Sequence, residues 1–297
     1  MPPRAPETID DALLLGWPLP QPDPDGDKEV RGHVLVLGGS REMPGSIILA
    51  ATAAMRAGAG KLTIATGASV AQLVALAIPE SRVISLPETP DGGVIPGAAD
   101  LLDPLADRVD ALLVGPGMQD ESATALLVRA LLPRLGRTPV VLDACAMGIV
   151  SRQQERFEVP VIVTPHAGEM AHLTDGDKRE ILADPDRFAM AAAERWNAVV
   201  ALKGARTVIA TPGDGRLWQH EGGNIGLATS GSGDTLAGIV AGLAARGASL
   251  AQAACWGVAL HARAGERLAA RFGVLGYLAR DIPAEVPALM GELARRE

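Results

Sequence analysis

The chain has 297 residues, 48% apolar and 21% charged, with a formal net charge of −8 at pH 7. That length accommodates one large α/β domain or two smaller ones, while the acidic balance and only 3% aromatic residues exclude the basic, base-stacking surface of a nucleic-acid binder. The two cysteines, Cys145 and Cys255, form no metal or redox spacing, the N-terminus carries no secretory pattern and no uncharged apolar run reaches spanning length, which together point to a reducing cytoplasm and no membrane partner.

Residues 1–31 are rich in Pro and Asp. Prolines at 18, 20, 22 and 24 exclude regular helix or central strand, so an extended arm is expected, lying on the body or on a neighbouring subunit. Residues 32–297 contain no repeat and no low-complexity linker, and read as one domain. His33 to Leu37 is an apolar run of buried-strand type, followed by Gly38-Gly39-Ser40 and a helix from Met43-Pro44-Gly45-Ser46 to Arg56. Strand, glycine turn and helix form the phosphate-side unit of α/β folds, although the G-x-G-x-x-G spacing is missing and a plain tight turn explains these residues as well.

Further strands are predicted at Lys61 to Ala65, Val83 to Leu86, Asp110 to Val114, Pro139 to Leu142, Pro160 to Val163 and Ala198 to Leu202. Helices are predicted over Ala68 to Ala77, Ser122 to Leu135 and 175–198. Ligands bind at the carboxyl ends of parallel strands, and Gly115-Pro116-Gly117, Asp143 and the run from Thr164 to Glu169 fall at those ends. Asp143 reads evenly as a water-mediated Mg²⁺ support or a helix N-cap. His166 gains weight from its place beside the crevice, whereas Glu169 also suits a helix start. After Lys203 to Thr207 the strand continues through Val208 to Ala210, turns at Thr211 to Gly215 and returns over Arg216 to Gln219 as an antiparallel hairpin. Lys203 reads as a phosphate contact or a solvated strand end. Two Ala-rich helices, Leu250 to Arg271 and Tyr277 to Arg295, follow.

The chain is organised around Gly222 to Ala245, GGNIGLATSGSGDTLAGIVAGLAA. Its first half lacks the bulk for a core strand, and its second half reads as a buried helix. The loop therefore hands backbone N–H groups to a helix start, which is an anion site. Asp234 stands at that start. As an N-cap it would be ordinary; as a base it could take a proton from a hydroxyl while the N–H groups hold the phosphoryl group under attack.

Six motifs stand in order: VLVLGGSREMPGS (34–46), VGPGM (114–118), VVLDACAM (140–147), VTPHAGEM (163–170), LKGARTVIA (202–210) and GGNIGLATSGSGD (222–234). As a set they resemble the ADP/ATP-dependent NAD(P)H-hydrate dehydratases of the ribokinase-like superfamily, over about residues 32–290. The resemblance implies a three-layer α/β/α fold with a mostly parallel sheet, and a dehydratase module without the epimerase domain of bifunctional members. It implies dehydration of NADH or NADPH hydrate with ADP or ATP and Mg²⁺, in a homo-oligomer, with a tetramer suspected, paired functionally with a separate epimerase. Asp234 would be the base, with Gly231, Ser232 and Gly233 holding the phosphoryl group. Ser46, Gly117 and His166 would meet the hydrate. Lys203, Gly204, Ala205, Arg206, Thr207 and the run Asn224, Ile225, Gly226, Leu227, Ala228, Thr229, Ser230 to Gly233 would bind the nucleotide, with Glu169 as an indirect metal support. Ser230, Ile225, Ala167 and Ser46 depart from the usual family residues, and none of these changes removes a reacting group. A small-molecule kinase of the same superfamily and a non-catalytic nucleotide binder are the competing readings. The motif set argues against the first, and the intact Asp234 against the second.

Overall fold

β-branched and leucine-rich runs, apolar at every position, form the centre of a ten-stranded sheet because both of its faces are covered. The computed structural model describes residues 5–23, 30–152 and 156–294. In chain order the strands are β1 (Glu7–Thr8), β2 (His33–Leu37), β3 (Lys61–Gly67), β4 (Arg82–Leu86), β5 (Ala111–Val114), β6 (Val140–Leu142), β7 (Val161–Val163), β8 (Val199–Leu202), β9 (Arg206–Ala210) and β10 (Leu217–Glu221). The helices are α1 (Asp11–Gly16), α2 (Pro44–Arg56), α3 (Ala71–Ala77), α4 (Glu121–Leu131), α5 (Ile149–Arg152), α6 (Ala167–Thr174), α7 (Lys178–Ala183), α8 (Pro185–Trp196), α9 (Ser232–Ala245), α10 (Leu250–Phe272) and α11 (Ile282–Ala294).

Across the sheet the order is β1-β10-β9-β8-β7-β6-β5-β2-β3-β4. Every pair from β4 through β3, β2, β5, β6 and β7 to β8 is parallel, and β8, β9 and β10 form an antiparallel meander. The chain leaves β2 toward β3 and β4, then returns to build β5 on the other side of β2. That reversal opens a crevice beyond the carboxyl ends of β2 and β5. One apolar core, with α2, α9, α10 and α11, covers one sheet face, and a second, with α4 and α8, covers the other. Among the described residues, no helix is long and apolar enough to cross a membrane.

Three expectations are corrected. The arm is not extended throughout, because Asp11–Gly16 forms a helix whose N-cap, Asp10, accepts from Leu13 N–H. This helix precedes the prolines, and β1 joins the sheet beside β10; Pro24 lies outside the described residues. Residues 175–198 are two helices rather than one, since Pro185 cannot continue the hydrogen-bond ladder and instead opens α8 with Asp184 as its cap. Finally, the chain does not run on from β8 into β9. It reverses at Lys203–Ala205, and β9 pairs antiparallel with β8.

Helices α2 and α9 touch backbone to backbone. A β-carbon on Gly238 would stand 2.1 Å from the Ala50 carbonyl oxygen, and one on Gly242 would stand 2.3 Å from that of Ala54. The four-residue step on α9 matches the four-residue step on α2, so one helix face seats on the other. One step back along the same rows lie Ser46 and Asp234. Replacing Gly238 with Ala is expected to force the helices apart and to lower unfolding free energy by about 1–3 kcal/mol in a urea titration. Gly97→Ala, whose β-carbon would meet nothing within 4 Å, is expected to stay within about 0.5 kcal/mol of the parent.

Candidate active site

Helix α9 begins in the crevice. Gly231 is its N-cap at φ +87°, a left-handed angle that suits glycine and turns the loop sharply into the helix. Asp234 is in the first turn, so the N-cap reading of this residue is set aside. Ser232 N–H is spent on the Thr229 carbonyl at 3.2 Å. This corrects its assignment as a backbone phosphoryl donor. The first turn still offers Gly233 and Asp234 N–H, which have no partner four residues back in the helix.

Asp234 accepts a hydrogen bond from Ser46 at the start of α2. Gly117, at φ +72°, packs where a β-carbon would be 2.9 Å from that of Ser46 and 2.5 Å from the Met43 carbonyl. The structure thus brings Ser46 and Gly117 together beside the carboxylate. Burial pushes the Asp234 carboxyl up from 3.8 to about 6, and the nearby Asp143 carboxylate pushes it the same way. The Ser46 bond and the Lys203 cation oppose that rise.

Lys203 is the hub of the charges. Its Nζ lies 3.2 Å from Asp143 Oδ1 and 3.8 Å from Glu169 Oε2. Burial works against its charge, but Asp143, Glu169 and Asp234 outweigh that and raise its pKa. Lys203 reaches this position because β8 ends there and its N–H donates to the Pro165 carbonyl at 2.7 Å. Asp143 caps no helix through its side chain; its Oδ1 accepts from Thr164 Oγ1 at 2.6 Å and from Lys203. Ala144, directly after it, is held at φ +47°, a strained angle for a residue with a side chain, which keeps Asp143 turned into the crevice.

His166 and Glu169 form a reciprocal cap on α6. Nδ1 of His166 accepts from Gly168 and Glu169 N–H at 3.0 and 3.1 Å, and Glu169 Oε2 accepts from His166 N–H at 2.7 Å. The histidine thus combines a structural task with a place in the crevice wall, its Nε2 lying 3.7 Å from Glu169 Oε2.

Next to Lys203 and Gly233 runs a cleft of about 750 Å³. Residues 203–205 and Thr207 line one wall, residues 222–225 and 227–229 the rim, and Ser232, Gly233, Leu236, Val258, His261 and Ala262 the inner end. Most of the nucleotide residues expected from the sequence meet here. Arg206 does not, because its guanidinium is committed to Asp186 and Gln219, at 2.7 and 2.6 Å. Gly226 is buried under the rim, and Ser230 and Gly231 lie outside the lining. A second cleft of about 450 Å³ opens on the far side of His166 and Glu169.

Residues 34–288 match the NAD(P)H-hydrate dehydratase family. The chain belongs to that family. It is 48% identical to the ADP-dependent (S)-NAD(P)H-hydrate dehydratase of Xanthomonas campestris over 97% of each chain. A bifunctional NAD(P)H-hydrate repair enzyme of Moorella thermoacetica is 42% identical over 95% of this chain and 54% of its own length. The present dehydratase-family chain therefore spans about half of such bifunctional relatives. Its structure matches that of the Bacillus subtilis ADP/ATP-dependent NAD(P)H-hydrate dehydratase co-crystallised with ATP and Mg²⁺, with a TM-score of 0.83 at 30% identity, covering 97% of this chain and 98% of that one. The three-layer ribokinase-like fold expected from the motifs is the one present.

Sequence reasoning missed His220, His261 and Tyr277 in this family member's site. His261 lies in the middle of α10 and carries no local signal. Its Nε2 sits 3.1 Å from both the hydroxyl and the carbonyl oxygen of Ser232, and burial drives its pKa down to about 4, so it is neutral. The Ser232 hydroxyl is thereby turned into the protein. Glu169 is held by His166 N–H and faces Lys203, and no group of three His, Cys, Asp or Glu among the described residues could hold a metal ion.

The raised Asp234 pKa has a stability consequence. In the unfolded chain the carboxyl ionises near 3.8, in the fold near 6. Between those values the native state binds more protons, so its stability falls as pH rises, and the ionised carboxylate is a full liability above pH 6. Asp234→Asn is expected to raise thermal stability above that pH by on the order of 2 kcal/mol, discounted for partial exposure. Below pH 3.8 the gain should vanish, as read from calorimetric midpoints across the pH range.

Proposed function

We propose that this protein dehydrates the S-form of NADH or NADPH hydrate to the reduced dinucleotide, consuming ADP or ATP. The observation that carries the reading is a single carboxylate, Asp234, at the N-terminus of α9, poised near pH 6 between the Ser46 hydroxyl and the Lys203 cation. The nucleotide occupies the larger cleft, with its terminal phosphoryl group at Gly233 N–H and Lys203, whose Nζ is 3.4 Å from where a Gly233 β-carbon would be. The hydrate enters from the Ser46, Gly117 and His166 side, next to the smaller cleft.

The chemistry follows from the leaving group. Hydroxide leaves a ring poorly and phosphate leaves well. Asp234 takes the proton from the hydrate hydroxyl, and that oxygen attacks the terminal phosphorus of the nucleotide. The phosphorus–oxygen bond to the nucleotide breaks, releasing AMP from ADP or ADP from ATP. The ring-nitrogen lone pair then expels inorganic phosphate by breaking the carbon–oxygen bond, and loss of a proton from the neighbouring carbon restores the double bond. Fixed donors do most of the work in such a transfer: the helix N-terminus and Lys203 meet charge that builds on the phosphoryl oxygens. Mg²⁺ would supply further charge neutralisation there, carried by the phosphates rather than by protein ligands. A separate epimerase would supply the S-form, a pairing supported by the relatives that carry both modules on one chain.

The test uses the absorbance band of reduced nicotinamide with chemically prepared NADH hydrate, Mg²⁺, and ADP or ATP in parallel. Wild type should restore the band only when nucleotide is present, releasing one phosphate per dinucleotide. Asp234→Asn should lower the rate roughly a hundred- to ten-thousandfold. No recovery with either nucleotide, together with ADP formed from ATP on adding an alcohol, would replace this reading with a small-molecule kinase.

A further inference from the structure

Asn224 stands on the rim of the nucleotide cleft, and its amide is oriented by two donors. Gly226 N–H donates to Oδ1 at 2.9 Å, and the Tyr277 hydroxyl donates to the same oxygen at 2.8 Å. A backbone N–H can meet only the oxygen of an amide, so the nitrogen must point the other way. That nitrogen, Nδ2, is buried and finds no hydrogen-bond partner among the described residues. A buried amide with two unspent N–H groups is costly unless a ligand takes them.

Tyr277 is the chain's single tyrosine and is only 4% exposed. It reaches Asn224 because Gly226 has no side chain. A β-carbon there would stand 2.0 Å from the Val274 carbonyl, 2.7 Å from Tyr277 Cε1 and 2.9 Å from Asn224 Oδ1. The segment between α10 and α11 is thereby pressed against the rim of the cleft, although it lies some fifty residues further along the chain.

We propose that Tyr277 is a positioning residue for nucleotide binding: by donating to Asn224 Oδ1 it aims the Asn224 Nδ2 hydrogens at an acceptor of the adenine nucleotide. This rests on the reading that the nucleotide occupies this cleft. Tyr277 touches no reacting atom, so its effect belongs in nucleotide affinity and not in turnover. Tyr277 lies outside the six motifs that mark the family in this sequence, whereas Asn224 and Gly226 belong to the last of them, so the contact joins two separate segments of the chain.

Three variants test it by calorimetric titration with ADP and by dehydration kinetics at saturating hydrate. Tyr277→Phe removes only the hydroxyl and should weaken ADP binding about five- to tenfold, with kcat unchanged. Asn224→Asp keeps an oxygen for Gly226 and Tyr277 but loses the Nδ2 donors, and should weaken binding further. The double variant should bind no worse than Asn224→Asp alone, because the two side chains act as a unit. If Tyr277→Phe binds ADP like wild type while Asn224→Asp does not, the latch is wrong and the cleft reading survives. Unchanged ADP affinity in both single variants would overturn the cleft reading itself. Additive losses in the double variant, or a fall in kcat with Tyr277→Phe, would mark general loosening of the rim and overturn the positioning role. The tyrosinate absorbance band, which reports Tyr277 alone, checks that the ring stays buried in Asn224→Asp.

Discussion

Two helices that meet without side chains between them set the geometry of this protein. Gly238 and Gly242 on α9 lie against the Ala50 and Ala54 carbonyls of α2, closer than any β-carbon would allow. Because both contacts repeat at four residues, the register of the helices is fixed, and extending it toward the helix starts brings Asp234 to Ser46. The loops before those helices leave the sheet at β2 and after β10, so the same contact joins the two ends of the crevice. The result is a rigid pair of helix N-termini, and a rigid scaffold is what holds a reacting carboxylate in place.

The cost of that placement is electrostatic. Asp143, Glu169 and Asp234 crowd one lysine, and a single cation cannot fully offset three carboxylates in a partly dry crevice. The group least compensated is Asp234, whose pKa rises toward neutrality. Asp143 is better served, with Thr164 and Lys203 both on Oδ1. This division gives one charged anchor and one carboxylate ready to exchange a proton. His261 adds nothing to the charge, since burial keeps it neutral beneath Ser232. Native stability and base strength are thus set against each other at one residue.

Local signals made much of this legible in the sequence. Apolar runs ending in Gly or Asp marked β2, β5 and β6, one ending in Thr164-Pro165 marked β7, and the small-residue loop before an apolar helix marked the anion site. The misses have physical causes. The break at Pro185 was hidden because charged and apolar residues keep helical spacing on both sides of it. The reversal at Lys203–Ala205 was read through because β8 and β9 are both apolar. Arg206 was assigned to the nucleotide from its neighbours in the motif, whereas alternation along β9 sends its side chain to Asp186 and Gln219. The Ser232 N–H looked available until the preceding turn claimed it. Tyr277 and His261 reach the site only through tertiary packing, and no spacing could announce them.

Burial and its neighbours hold the proposed proton acceptor, Asp234, near neutrality. The most direct measurement is the pH dependence of kcat/KM for dehydration, which reports the free enzyme's base, in wild type and Ser46→Ala. An acid limb near pH 6 is expected in wild type. In Ser46→Ala the limb should move upward, because the lost hydrogen bond favours the carboxylate. A wild-type limb at the ordinary carboxylate value, or one that Ser46→Ala leaves in place, would contradict that role for Asp234.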